Sequence, residues 1–289
     1  MSVLRPLVTV PMVLAFALGG CGRSPVELAP FILDQLEMEE DPVAEGCQKV
    51  DYLFVIDNSA SMGDNQRRLI ESFDTFVEGV ERTQQSLESV HLGVVTTDQY
   101  VGHDRAECKA LGGMVTRTDG HNSSKAACGP YTDGHNYMTE ADDLGPSFSC
   151  AAQVGTTGSS QEWPLAALTA AISDEMTAVN GCNEGFLRDD ALLVVVIVTD
   201  EDDPGPVDHR YEALVEAKGG RADNVVVVGL LNEPGTECSL SGHAREAPEL
   251  FTFVNSFQHS FVAPVCGDYS EAFTRAVSVV QSACWAAGP

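Results

Sequence analysis

The stretch DYLFVIDNSASM, residues 51–62, decides the fold. Its first half is apolar and partly β-branched, which is typical of a strand buried in a parallel sheet, and we predict that strand over residues 52–56. Asp57 comes directly after the strand, and the hydroxyls of Ser59 and Ser61 come next at alternate positions. Ligands of open α/β sheets bind at the carboxyl ends of the strands. Because carboxylate and hydroxyl oxygens are hard donors, these three residues predict a site for Mg²⁺ or Mn²⁺.

The rest of the chain alternates between apolar runs and segments with helical periodicity. This alternation predicts an α/β fold, a doubly wound and mostly parallel sheet with helices on both faces. Further strands are predicted over residues 91–97, 191–198, 224–231 and 260–265. Helices are predicted over residues 65–80, 161–179, 211–218 and 269–285.

The segment VIDNSASM resembles the metal-ion-dependent adhesion site that opens a von Willebrand factor type A domain. The resemblance implies a second aspartate after the fourth strand of a Rossmann-like sheet. This chain has ALLVVVIVTDEDD over residues 191–203, in which an apolar run leads to Asp200. A structural alternative is an aspartate that caps a helix, with a serine-rich turn after it.

In that family the remaining ligand is usually a threonine at the start of the helix between the two segments. The corresponding sequence here is GTTGSSQEWPLAALTAAI, residues 155–172. If Ala167 and Leu168 occupy the family's buried helix positions, Glu162 takes the place of the threonine. Sliding the helix by one turn offers Ser159 or Ser160 instead. A carboxylate at this position would shift the metal preference toward Ca²⁺ or Mn²⁺.

The amino terminus has the pattern of a bacterial lipoprotein signal. Arg5 precedes a short apolar segment that ends in LGGC, so residues 1–20 are predicted to be removed and Cys21 to be acylated. The segment is too short to span a bilayer, whereas the acyl chains provide stable attachment. Gly22 stands after the cysteine, and we expect an outer-membrane lipoprotein that faces either the periplasm or the exterior.

Composition sets the domain organisation and the class of partner. Residues 21–46 are predicted to be a lipid anchor with an acidic tether, and residues 47–289 a single domain with an insert at 100–158. The formal net charge of −27 argues against binding to nucleic acid.

Eight cysteines remain after Cys21, which suits disulfides in an exported protein. In a fold of the type that the resemblance implies, Cys47 and Cys284 lie together at the face opposite the metal, and Cys238 and Cys266 come after neighbouring strands. We therefore expect these two bridges. For the other four cysteines, the expected pairs are Cys108 with Cys128 and Cys150 with Cys182.

The insert and the acidic stretch after the fourth strand each leave alternatives. TDGHN occurs at residues 118–122 and 132–136, as two similar turns or as a second metal site built from Asp119, His121, Asp133 and His135. The insert is expected to shape the rim around the adhesion-type metal. The carboxylates beyond Asp200 are expected to be solvated or to cap helices, with an adjacent Ca²⁺ site as the alternative.

Two functions compete. The resemblance implies an adhesion-type protein-binding module with no enzymatic activity, in which the Asp or Glu carboxylate of a partner protein completes the metal's coordination. The alternative is a metal-dependent phosphohydrolase with Asp57 as nucleophile. That chemistry favours a second carboxylate two residues later, where Ser59 stands. A third interpretation, a structural domain of an envelope complex, predicts no metal binding.

Overall fold

A computed structural model describes residues 47–83, 88–99, 103–235 and 245–287. The predicted signal peptide, the acylated Cys21 and the tether lie outside these residues. None of the helices in the described part of the chain is both long enough and apolar enough to cross a membrane.

Six strands form one sheet in the order β3-β2-β1-β4-β5-β6. This is the strand order of a doubly wound α/β fold, in which the order of the strands along the sheet reverses between β1 and β4. All neighbouring pairs are parallel except β2 with β3, so the predicted fold class is confirmed. The strands are β1 Lys49–Ile56, β2 Ser89–Thr96, β3 Met138–Thr139, β4 Leu192–Val198, β5 Val225–Leu231 and β6 His259–Pro264.

Strand β1 lies at the centre because its side chains are apolar toward both faces of the sheet. Tyr52 and Phe54 pack on one side, in a core shared with Phe73 and Phe273. Leu53 and Val55 face the opposite core. A strand buried on both faces needs such a continuous apolar run.

Helices cover both faces of the sheet. Their bounds are α1 Gly63–Thr83, α2 Leu144–Ala152, α3 Pro164–Ala171, α4 Asp174–Thr177, α5 Asp208–Ala217, α6 Pro248–Asn255 and α7 Tyr269–Ala287. The helix predicted over residues 161–179 is wrong in its extent, because it starts at Pro164 and is broken between α3 and α4. The sequence patterns do not predict helices α2 and α6.

The predicted insert contributes to the sheet. It supplies the edge strand β3, which pairs with β2 through Leu92 and Met138, and the helix α2. Because a strand of two residues has no detectable periodicity, the sequence does not indicate that the insert adds a strand to the sheet.

The expected Cys47–Cys284 disulfide is present, but the pairs expected within the insert are wrong: Cys108 bonds to Cys182, and Cys128 bonds to Cys150. The cause is Asn183, whose side chain accepts a hydrogen bond from Met114 N (3.1 Å) and donates one to Gly112 O (2.8 Å). These bonds fold the segment after Cys108 against the loop that carries Cys182. Cys266 is disulfide-bonded, but its predicted partner Cys238 lies outside the described residues.

Candidate metal centre

Asp57 lies at the carboxyl end of the central strand and is completely buried. Its backbone N donates to Val198 O (3.0 Å), which continues the sheet by one residue. Each carboxylate oxygen accepts one hydrogen bond: Oδ1 from Ser59 N (2.7 Å) and Oδ2 from Thr199 Oγ1 (2.6 Å). The carboxylate is therefore held in one orientation by groups from the ends of β1 and β4.

The two serines and the second aspartate meet beside it. Ser59 Oγ and Ser61 Oγ lie 3.2 Å apart, and Ser61 Oγ donates to Asp200 Oδ1 at 3.0 Å. Ser59 and Asp200 are buried, whereas Ser61 is half-buried. Residues 139 positions apart in the chain are thus brought together because β1 and β4 are neighbours in the sheet.

Glu162 reaches the same cluster. Only 1% of it is exposed, Thr97 Oγ1 donates to its Oε2, and its Oε1 has no hydrogen-bond partner among the described residues. Ser159 and Ser160 are both exposed, and Ser159 N donates to Asp98 Oδ2 at 2.7 Å. Of the three residues considered for the fifth position, Glu162 is therefore the one buried beside Asp57.

The electrostatics of the cluster disfavour negative charge. Burial, together with repulsion from Asp200, raises the pKa of Asp57 to about 6 despite the hydrogen bonds from Thr199 and Ser59. Burial, together with the negative charges of Asp57, Asp98 and Glu201, raises the pKa of Glu162 to about 8. A cation at this position would therefore offset an unfavourable charge.

Gln66 joins three parts of the site, and no sequence pattern identifies it. Its amide nitrogen donates to Asp57 O (2.9 Å) and Gly155 O (2.8 Å), and its oxygen accepts from Gly155 N (3.1 Å). A glutamine on a predicted helix gives no sequence signal for this role. The end of the segment 100–158 is thereby fixed to the loop after β1, which places it at the rim of the site.

Two of the acidic residues after Asp200 accept hydrogen bonds from the first amides of helices. Asp202 accepts hydrogen bonds from Glu249 N (3.1 Å) and Leu250 N (3.0 Å) at the start of α6, and Asp203 accepts one from Leu165 N (2.9 Å) in α3. These carboxylates satisfy amide groups that have no partner within their helices. The expected helix-capping role is therefore present for Asp202 and Asp203.

The TDGHN copies form two different turns. Positive φ angles occur at Gly120 and Asn122 in the first copy, but at Asp133 and Gly134 in the second. Among the described residues, the one group of three His, Cys, Asp or Glu side chains with ligand atoms within 4.8 Å of one another is His103 with Cys108 and Cys182. Its two sulfurs are joined in a disulfide, so they are not thiolate ligands.

The residues around Asp57 fit a hard divalent cation. The donors are carboxylate and hydroxyl oxygens, which suit Mg²⁺, Mn²⁺ or Ca²⁺. The buried Glu162 Oε1, which accepts no hydrogen bond from a described residue, points to a missing positive partner.

Neither a protein-family model nor the sequence of a characterised protein matches the chain. Proximal thread matrix protein 1 from the mussel byssus is similar in structure, with a TM-score of 0.45 and 13% identity over 82% of this chain and 49% of that chain. A second structure of the same protein has a TM-score of 0.43 and 16% identity over 84% of this chain and 48% of that chain. A von Willebrand factor type A protein from Catenulispora acidiphila has a TM-score of 0.39 and 14% identity over 81% of this chain and 43% of that chain. The chain spans less than half the length of these proteins.

Proposed function

We propose that the protein is a membrane-anchored, divalent-cation-dependent protein-binding module of the cell envelope. The observation that carries the proposal is the buried cluster of oxygens from Asp57, Ser59, Ser61, Glu162 and Asp200 at the carboxyl edge of the sheet. Three of these residues carry carboxyl groups, and burying their negative charges is unfavourable without a cation.

The bound cation would supply an electrophilic coordination position for an incoming carboxylate. The chain's own residues would hold the cation and fix its place. Ser61 is the half-buried member, so the cluster opens to solvent on its side. The partner is accordingly a protein that presents an Asp or Glu side chain, and the segment 100–158 at the rim selects among such partners.

The contacts of Asp57 favour binding over phosphohydrolase chemistry. Both carboxylate oxygens accept hydrogen bonds, from Ser59 N and Thr199 Oγ1, and the residue two positions later is a serine. The same chemistry also favours a lysine near the end of β4. The lysine that is buried among the described residues, Lys218, instead donates to Arg188 O and lies in the network of Asp51, a different cluster.

The test is calorimetric titration of the full-length chain with Mg²⁺, Mn²⁺ and Ca²⁺. Asp57→Ala should abolish binding at this site, because a carboxylate ligand is lost, while the fold persists. Asp64→Ala is the matched control, since it removes an equal charge from an exposed position in the first turn of α1. Unchanged affinity in Asp57→Ala would contradict the site. If the site is correct, chelator should also abolish capture of the partner protein from envelope extracts.

Anchoring through Cys21 is a separate part of the proposal. Cys21→Ser should remain unacylated and appear in the soluble fraction, because the tether has no other strongly apolar segment. If this variant stays with outer membranes after a salt wash, the attachment does not depend on acylation.

A further inference from the structure

The two TDGHN turns pack against different parts of the fold. The first, residues 118–122, packs on Gly155, which Gln66 joins to the carboxyl end of β1. The second, residues 132–136, lies directly before the edge strand β3, which begins at Met138. The first copy is therefore the one that is held against the loop of the candidate metal centre.

Close backbone contacts fix the position of the first turn. Thr156 N donates to His121 O (2.8 Å), and a Cβ at Gly155 would lie 2.9 Å from the same oxygen. A Cβ at Gly120 would lie 2.5 Å from Thr157 Oγ1. Both glycines also have positive φ angles, of 92° at Gly120 and 91° at Gly155, which favour glycine. The place of the turn relative to the metal centre is thus set before a partner binds.

Two polar side chains of this turn are exposed beside the metal centre. They belong to His121 and Asn122. His121 Nδ1 lies 3.3 Å from Thr156 Oγ1, and Asn122 Nδ2 donates to that oxygen at 3.3 Å. A Cβ at Gly63, two residues beyond Ser61, would lie 3.1 Å from Asn122 Nδ2. The two side chains therefore stand next to the half-buried side of the candidate metal centre, where a partner would enter.

The same residue types have internal contacts in the second copy. His135 stacks on Tyr137 with ring centroids 4.6 Å apart, and Asn136 Nδ2 donates to Cys182 O (2.6 Å). Both side chains are half-buried. Because the two copies have the same sequence, the exposure of the first pair comes from its surroundings and is not a requirement of the turn.

We propose that His121 and Asn122 are specificity-determining residues, which bind the main chain of the partner next to the acidic side chain that enters the metal's coordination. An amide side chain has donors and an acceptor, as a peptide group does, and an imidazole adds a further ring nitrogen. The net charge of −27 repels acidic proteins, so hydrogen bonds beside the metal would favour a fitted segment. The inference rests on the proposed function and deepens it: the partner is an extended acidic segment.

The probe is a library of random peptides displayed on phage, selected on the full-length chain in Mg²⁺ and eluted with chelator. The affinity of a selected acidic peptide is then measured by calorimetry. His121→Ala and Asn122→Gly should each weaken it about threefold to tenfold, as for the loss of one hydrogen bond, without changing the affinity for Mg²⁺. Glycine at 122 keeps the positive φ of 62°. His135→Ala, the same change in the second copy, is the matched control and should bind like the wild type.

Methylation of the peptide nitrogens on either side of the acidic residue tests the main-chain contact. It should weaken binding to the wild type more than binding to the variant that carries both His121→Ala and Asn122→Gly. Equal melting temperatures in chelator would show that the variants fold. An equal effect of methylation on both proteins overturns the main-chain contact.

The remaining outcomes separate the inference from the proposed function. Chelator-sensitive peptides that bind His121→Ala and Asn122→Gly as tightly as the wild type overturn the inference and leave the proposed function intact. The inference is also wrong if either variant loses affinity for Mg²⁺, or if His135→Ala weakens the peptide equally. A selection that yields no chelator-sensitive peptide overturns the proposed function as well.

Discussion

Strand β1 has a buried aspartate at each end, and the two are surrounded in opposite ways. Asp51, near its start, accepts hydrogen bonds from Arg188 N (2.8 Å) and Arg188 Nε (2.7 Å). Asp57, directly after its end, has a hydroxyl and an amide as donors and acidic side chains as neighbours. Both are completely buried, and burial raises the pKa of each to about 6. At the amino edge, the chain provides the counter-charge. At the carboxyl edge, the proposed cation would supply it.

Removing the internal counter-charge should have the largest effect. Arg188→Ala leaves Asp51 buried without its guanidinium partner and should lower the free energy of unfolding by about 3–5 kcal/mol. Urea denaturation in chelator measures this. The matched variant at the other edge, Asp57→Asn, removes an unbalanced charge at nearly constant volume. It should change stability by less than about 1 kcal/mol or raise it. If both variants lose several kcal/mol, the two edges are not different in kind.

A smaller effect is expected from acid, again at the amino edge. His91 Nδ1 donates to Phe186 O (2.7 Å), and burial together with Arg188 lowers the pKa of His91 to about 4. The unfolded chain takes up this proton below its ordinary pKa of about 6.5, whereas the folded chain does not until about pH 4. The contribution of neutral His91 to the free energy of unfolding is therefore fully present above pH 6.5. It is lost as the pH falls toward 4, by up to about 1.4 kcal/mol per pH unit.

His91→Gln should flatten this part of the stability–pH profile, provided that the variant folds. His209→Gln is the control, because it makes the same substitution at a largely exposed position in α5. An identical acid profile in His91→Gln and the wild type would show that other groups set the acid sensitivity. Denaturant midpoints at pH 4 to 8 in chelator provide the measurement.

The central strands and Asp57 could be predicted because the sequence encodes them locally. The apolar runs of β1, β4 and β5 each end near a polar turn, and parallel pairing brings those turns together at one edge of the sheet. Strand boundaries agree with the prediction within three residues. The helix predicted over residues 161–179 failed because its alanine-rich pattern does not show where the chain turns at Ser173, before α4.

Contacts between distant segments could not be predicted in the same way. Cys108 pairs with Cys182 where the side chain of Asn183 accepts a hydrogen bond from Met114 N and donates one to Gly112 O, and Asn183 has no distinguishing pattern around it. The hydrogen bond from Asn58 Nδ2 to Asp98 Oδ1 (3.0 Å) could not be predicted for a similar reason, because in the sequence each is a single polar residue in a loop. The residue types at the candidate site could be predicted from the sequence, but the full set of residues that meet there depends on the tertiary structure.

The disulfide between Cys47 and Cys284 gives the domain a defined mechanical axis. Cys47 lies just before β1 and is bonded to α7, while the cluster at Asp57 begins where β1 ends. A pull on the chain ahead of Cys47, opposed by a ligand held at Asp57, would run along the central strand. A ligand that is also held by Asp200, after β4, would pass part of the load to β4, so the hydrogen bonds between β1 and β4 would be loaded in shear rather than opened one at a time. The covalent link passes part of that tension to the last helix.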